Sequence, residues 1–209
     1  MPISYIYNKL IRKEMERLKK PVKITFILSE NKEYNDYLRS VLTTYEESSA
    51  NLLTVNEITE QSFFKKNGIV YLPAILFIND HKDEIIRYQA CPFGAEIKPF
   101  VDTLVTFSGG SNYYASTIQQ NLDKMTPSVI KVMITESCAY CPEIVSFVNQ
   151  FAIASNGKIK SQIIDIITHP EIGNNYNSLS VPMTIVNDKK MFEGMISPNE
   201  VLVELTRGN

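Results

Sequence analysis

The sequence predicts an α/β protein built of two tandem units, each a mixed four-stranded sheet flanked by helices and preceded by an extra leading helix. Two observations carry this. LKKPVKITFIL (residues 18–28) and DKMTPSVIKVMIT (123–135) each read as a helix end, a proline that stops it, and a β-branched buried strand. VYLPAILFIND (70–80) and LSVPMTIVNDK (179–189) each place a proline just before a β-branched strand that ends in Asn-Asp.

The elements follow in matching order. Residues 4–20 form a leading helix, with Ile6, Leu10, Met15 and Leu18 as its apolar stripe among Lys, Arg and Glu. After the ITFIL strand, SENKEYNDYLRSVL is a helix with Tyr34, Leu38, Val41 and Leu42 on one side. NLLTVNEI is the second strand and QSFFKKNG the core of a short helix. The Pro73 strand then turns tightly at Asn79-Asp80 into EIIRYQA, and AEIKPFVDTLVTF closes the unit as a helix. FSGGSN (107–112) is the most loop-like central stretch and sets a boundary near residue 110, giving units 1–110 and 111–209. The second unit repeats the plan. Its leading helix, 112–125, carries the stripe Ile118, Leu122 and Met125; the stripes of the two leading helices are natural material for an interface between the units or between chains. Then come ESCAYCPEIVSFVNQF, with Ile144, Phe147, Val148 and Phe151 on one face, the strand KIKSQIIDII, a helix around HPEIGNNYNSL, the hairpin into KMFEGMI, and the helix PNEVLVELTRG. In each unit the first strand pair needs a right-handed crossover and lies parallel, and the hairpin adds antiparallel strands. The alternative is a single larger α/β domain that only looks repeated.

Composition excludes several classes. Of 209 residues, 44% are apolar and 21% charged, with net charge −2 and no block of like charge, so no nucleic-acid partner is expected. No apolar run has the length of a membrane span, and the N-terminus lacks a signal core, so the default location is cytoplasmic. Three cysteines are too few for a disulfide scaffold, and a reducing compartment makes a close CxxC functional rather than structural.

The chemistry concentrates in TESCAYCPEI (135–144). Residues three apart on a helix are neighbours, so Cys138 and Cys141 can pair or separate with little backbone movement, closing a loop too small to staple the fold. Cys138 falls at the strand-to-helix junction, at or beside the N-cap, where free N–H groups and the helix dipole favour a thiolate. Cys141, one turn inside and more buried, keeps its proton and acts second. Pro142 lies in the first turn, where its missing N–H is tolerated. Zinc needs four ligands, and the other candidates, Cys91, His81 and His169, are scattered singly; no metal site and no cofactor is expected within one chain. Two inert buried cysteines are the bland alternative, and Glu136, Ser137, Tyr140 and Pro142 make a poor apolar wall for them. Cys91, in QACPFG, reads as a small loop residue near the surface. Asp165 is either a pKa-tuning acid or a solvated strand end, and His169 reads as a surface residue at a helix start. Lys32, at a helix start, is a candidate for an ion pair or an anion contact.

CAYC after a first strand and Val181-Pro182 before the third resemble the thioredoxin/glutaredoxin superfamily. Two such units, each with a leading helix, resemble the archaeal protein disulfide oxidoreductases, or glutaredoxin-like proteins. TESCAYCPEIV, HPEIGNNYNSLSVPMTIV, FEGMISPNEVLVEL and, in the first half, RYQACPFGAEIKPFVDTLV follow that family's landmarks. Lys32 and Asn35, in KEYN, stand where many members have a first CxxC, so the first unit is expected to do no dithiol chemistry. The resemblance implies dithiol–disulfide exchange, with Cys138 attacking and Cys141 resolving a mixed disulfide, and a cis Pro182 opposite the CxxC. It also implies that Val181 offers backbone groups to an extended substrate and that Tyr140 contacts it. The expected partners are protein disulfide substrates, with a thioredoxin reductase or a peroxiredoxin as redox partner, and a homodimer is left open. The rival readings are a non-enzymatic binding or scaffold module and a dedicated electron carrier between a flavin reductase and a peroxidase.

Overall fold

The computed structural model describes residues 5–59 and 71–207. The helix expected around QSFFKKNG lies outside the described residues. Each half has the expected plan. In the first, α1 (Tyr5–Met15) leads into β1 (Val22–Ile27), α2 (Lys32–Ser48) and β2 (Leu53–Ile58), then β3 (Ala74–Ile78), β4 (Glu84–Gln89) and α3 (Ile97–Phe107). In the second, α4 (Ala115–Asn121) leads into β5 (Ser128–Ile134), α5 (Cys141–Ala154), β6 (Ile159–Asp165), α6 (Pro170–Asn175), β7 (Met183–Val186), β8 (Lys190–Glu193) and α7 (Pro198–Thr206). The pairings β1–β2 and β5–β6 are parallel, and β1–β3, β3–β4, β5–β7 and β7–β8 are antiparallel, as the crossover and hairpin rules require.

The two four-stranded sets do not remain separate sheets. β4 pairs in parallel with β6, with Ile86 opposite Ser161 and Tyr88 opposite Ile163, giving one eight-stranded sheet ordered β2-β1-β3-β4-β6-β5-β7-β8. Two edges that would each leave a row of N–H and C=O groups unpaired thus satisfy one another. The fold is α/β and thioredoxin-like, a mixed sheet flanked by helices. One continuous core of buried side chains, including Phe26, Tyr45, Tyr88, Phe100 and Phe151, runs through both halves. On the second half's other face, Ile172 of α6 packs with Met133, Ile164, Met183 and Ile185.

The helix packing corrects the expected interface. α1 packs on α2 and α3, and α4 on α5, each within its own half; α3 against α5 joins the halves. The α1 stripe also differs: Ile11, Met15 and Leu18 are buried, whereas Ile6 and Leu10 are exposed. Ile11 and Met15 lie one turn apart on one face, Leu18 follows after the helix has ended at Met15 rather than at residue 20, and positions 6 and 10 lie well round the helix from that face. The first hairpin turn is wider than the expected tight Asn-Asp turn. Asn79 N–H bonds to Asp83 O, and the β3–β4 register shifts at Phe77/Ile78. In the second hairpin, Asn187 and Asp188 both take positive φ, the tight geometry these residue types favour.

Candidate functional site: a cysteine pair at a strand-to-helix junction

β5 ends at Ile134, and its buried run delivers the chain to a loop from which α5 starts at Cys141, with Tyr140 as N-cap and Pro142 in the first turn. Cys138 N–H bonds to Thr135 O at 3.0 Å, folding the loop back. The Tyr140 side chain makes no capping hydrogen bond; the Cys141 N–H at the helix start points instead at Cys138 Sγ, 3.1 Å away. The sulfur therefore fills the role that a Ser or Asp oxygen usually plays at a helix start. Cys138 lies before the N-cap rather than on it, and Cys141 is the first helical residue rather than one turn inside, because the loop turns once before the helix begins. The two are joined in a disulfide with Cα atoms 5.6 Å apart. Cys141 has no exposed surface, while Cys138 is partly exposed.

The sheet sets the surroundings. Met133 of β5 pairs with Met183 of β7, which brings Val181-Pro182 beside the start of the loop. The Val181–Pro182 peptide bond is cis, and so is Leu72–Pro73 at the matching place in the first half. Pro182 O accepts from Gly194 N–H at 2.8 Å, whereas the backbone N–H and C=O of Val181 make no hydrogen bond among the described residues. Tyr140 stands 65% exposed next to the disulfide. On the other side of β5, Ile134 pairs with Asp165.

Cys91 and His169 differ from expectation, and Asp165 takes the buried one of its two readings. Asp165 is buried rather than solvated, with Oδ1 accepting from Ile167 N–H at 2.8 Å. Cys91 is buried, not a surface thiol, and burial pushes it up to about 12. His169 is also buried, and desolvation lowers its pKa. Cys91 and His169 read as surface positions at a turn and at a helix start, and the fold buries both. Among the described residues, no three His, Cys, Asp or Glu side chains gather as metal ligands. No helix among them is long and apolar enough to cross a membrane.

Sequence reasoning missed three residues of the first half. Glu96 is buried, accepts a hydrogen bond from Tyr88 O–H on one oxygen, and has no partner on Oε1. Burial raises its pKa to about 7, with the Tyr88 bond opposing and Asp165 adding to the rise. In sequence it looks like an ordinary acid at a helix start. Tyr34 and Tyr37 of α2 face the loop that leads to Cys138 from across the seam, and Tyr34 Oη lies 3.3 Å from Thr168 Oγ1. Tyr34 looks only like part of an apolar stripe. In the first half, Asn35 occupies the position matching Cys141 and knits its loop shut. Its Oδ1 accepts from Ser29 N–H and Oγ–H, both at 3.0 Å, and its Nδ2 donates to Ser29 O at 2.8 Å.

A thioredoxin-domain family model matches residues 128–207. Over 197 residues the chain is 23% identical to the alkyl hydroperoxide reductase component AhpF of Escherichia coli (strain K12), covering 93% of this chain and 36% of that protein. It therefore spans about a third of the length of that relative. A mutant AhpF from Enterococcus faecalis (V583) superposes with TM-score 0.85 at 20% identity, covering 98% of this chain and 100% of that one. A protein disulfide oxidoreductase from Aeropyrum pernix K1 superposes with TM-score 0.83 at 22% identity, covering 97% of this chain and 92% of that one. The chain thus has the thioredoxin fold, and the stretch that matches the thioredoxin-domain pattern is the one that holds Cys138 and Cys141.

Proposed function

We propose that the protein is a dithiol–disulfide oxidoreductase working through Cys138 and Cys141. The observation that carries this is the asymmetry of the pair: bonded to each other at a helix start, with one sulfur partly exposed and the other fully buried. In the reduced protein, the Cys141 N–H and the helix dipole favour a thiolate at Cys138. That thiolate attacks one sulfur of a substrate disulfide; a mixed disulfide forms and the other substrate sulfur leaves as a thiolate that takes up a proton. Cys141 then loses its proton and attacks Cys138 Sγ, and the second substrate thiolate leaves. Two electrons have passed to the substrate, and the protein holds the Cys138–Cys141 disulfide. The unpaired backbone of Val181 offers an extended substrate its main-chain groups, and exposed Tyr140 offers an apolar contact. Residues 111–209 carry the chemistry in this reading, and residues 1–110 support it.

Cys138→Ser should abolish reduction of insulin disulfides, and Cys141→Ser should accumulate mixed disulfides with substrate. Equal residual turnover in both single variants would remove the pair from the centre of the reaction. A second reading, an electron carrier between a flavin-dependent reductase and a peroxiredoxin in the cytoplasm, draws support from the similarity to the alkyl hydroperoxide reductase component AhpF along nearly the whole chain. Its test is re-reduction of the Cys138–Cys141 disulfide by such a reductase, coupled to peroxide turnover by a peroxiredoxin.

A further inference from the structure

The first half has no cysteine pair, yet it supplies half the wall of a cleft beside the redox loop. The cleft, about 440 Å³, lies between Tyr34, Tyr37 and Cys91 on one side and Glu136, Asp165 and Thr168 on the other. It is lined up to Ser137, the residue before Cys138, so anything held there is within a side chain's reach of that sulfur.

The cleft's chemistry is one-sided. Two carboxylates line it and no Lys or Arg does. Among the described residues neither Glu136 nor Asp165 forms an ion pair. Asp165 lines the cleft and is only 7% exposed; Oδ1 takes the Ile167 N–H, and no cation pairs with the carboxylate among the described residues. A carboxylate held at such depth without a cation is costly to keep unless something pairs with it. Burial keeps the Cys91 thiol and the Tyr34 hydroxyl neutral, both pushed up to about 12, so neither adds charge to the cleft near neutral pH. The Tyr34 and Tyr37 rings, with centroids 6.3 Å apart and planes inclined by 36°, form a half-cage of aromatic surface. Aromatic faces and carboxylates together are what a guanidinium or ammonium group seeks.

We propose that this cleft receives the arginine or lysine side chain of a residue next to the disulfide in a protein substrate, so that the first half selects substrates for the cysteine pair of the second. The proposal rests on the reading of disulfide exchange at Cys138. Glu136 and Asp165 supply the charge, and Tyr34 and Tyr37 the ring faces. The Tyr34–Thr168 contact ties the two walls together.

The test uses the full chain and synthetic peptides with one intramolecular disulfide, identical except for Arg, Ala or Glu beside a cysteine. Dissociation constants are read by fluorescence anisotropy on the oxidised protein, and kcat/KM on the reduced protein. The Arg peptide should bind about tenfold more tightly than the Ala peptide, with the Glu peptide weakest and the preference shrinking as salt rises. Glu136→Gln, at an exposed position that leaves folding intact, and Tyr37→Leu, checked by circular dichroism, should each cut the Arg-to-Ala ratio, and together bring it within about twofold of one. Equal binding of Arg and Ala peptides by the parent, or an unchanged ratio in the double variant, overturns the proposal. Turnover without Arg preference removes the cleft and leaves the exchange reading; Arg preference in binding without turnover of any peptide does the reverse.

Discussion

Asn149 Nδ2 donates to Thr103 Oγ1 at 2.9 Å, a buried hydrogen bond from α5 to α3 that joins the two halves beneath the helices. It belongs to a closed chain: Thr103 Oγ–H donates to Pro99 O at 2.7 Å, and Ser161 Oγ–H, on the seam strand β6, donates to Asn149 Oδ1 at 2.7 Å. A satisfied buried network fixes how two surfaces meet, because any slip strands its members without water. Asn149→Ala should therefore lower stability by about 1–3 kcal/mol, leaving the Ser161 hydroxyl without an acceptor and the Thr103 oxygen without its donor. Replacing the three together, with Thr103→Val, Asn149→Leu and Ser161→Ala, should recover a large part of the loss. Urea titrations of the single and triple variants check this; a triple variant as weak as the single one would point to lost shape rather than lost hydrogen bonds.

In the first half, buried Asn35 on α2 holds the preceding loop through its side chain. Asn35→Ala removes three part-buried hydrogen bonds to Ser29 and should cost about 1–3 kcal/mol, whereas exposed Lys32→Ala should be neutral. Both variants should turn over insulin within a few-fold of the parent at a temperature where they are folded. Loss of turnover in either, with folding retained, would place the first half in the chemistry itself.

Glu96 gives stability a defined pH dependence. Its pKa rises from 4.5 in the unfolded chain to about 7 in the fold, mainly by burial. Between those values the folded state keeps a proton that the unfolded state has released, so this contribution to stability is complete below pH 4.5, falls as pH rises, and is gone above pH 7. The change is on the order of 3 kcal/mol. Glu96→Gln cannot ionise, so its stability relative to the parent should climb through this window and level off above it. Melting of both proteins at pH 5, 6, 7 and 8 reads the difference directly, and a constant offset would show that Glu96 does not carry the titration.

The parts legible in the sequence are those written in local patterns. The repeat of strand, helix, strand and hairpin showed in periodicity and in Pro73 and Pro182; the Cys138–Cys141 pair showed in its spacing. The β4–β6 seam did not, because periodicity marks EIIRYQ and IKSQIID as strands without naming which edge each will meet. The burial of Cys91 and His169 is hidden for the same reason: it comes from segments distant in sequence. Glu96 is the extreme case, since nothing about AEIKPF distinguishes an acid that the fold will dehydrate from one that water will surround.

The seam also changes what cutting the chain should do. Expressed alone, residues 111–209 would keep α4 covered, because Ile118 and Met125 bury within their own half against the core around α5. What is lost is the partner of β6. The parallel pairing from Ser161 to Ile164 opens, and with it the α3 cover of α5 and the Thr103 partner of Asn149. An apolar-rich, unpaired strand edge of this kind recruits other chains. The fragment should therefore associate as concentration rises, melt below the full chain, and keep reactivity of Cys138 toward a small disulfide, since the Cys141 N–H bond and the start of α5 lie wholly within it. A proline at Ile163, which blocks strand addition, should lower association without restoring the melting temperature. Sedimentation, melting curves and thiol exchange rates of the fragment with and without Ile163→Pro separate the cases. A monomeric fragment as stable as the parent would mean that the seam adds little to either half, and that the eight-stranded sheet is two independent folds lying edge to edge.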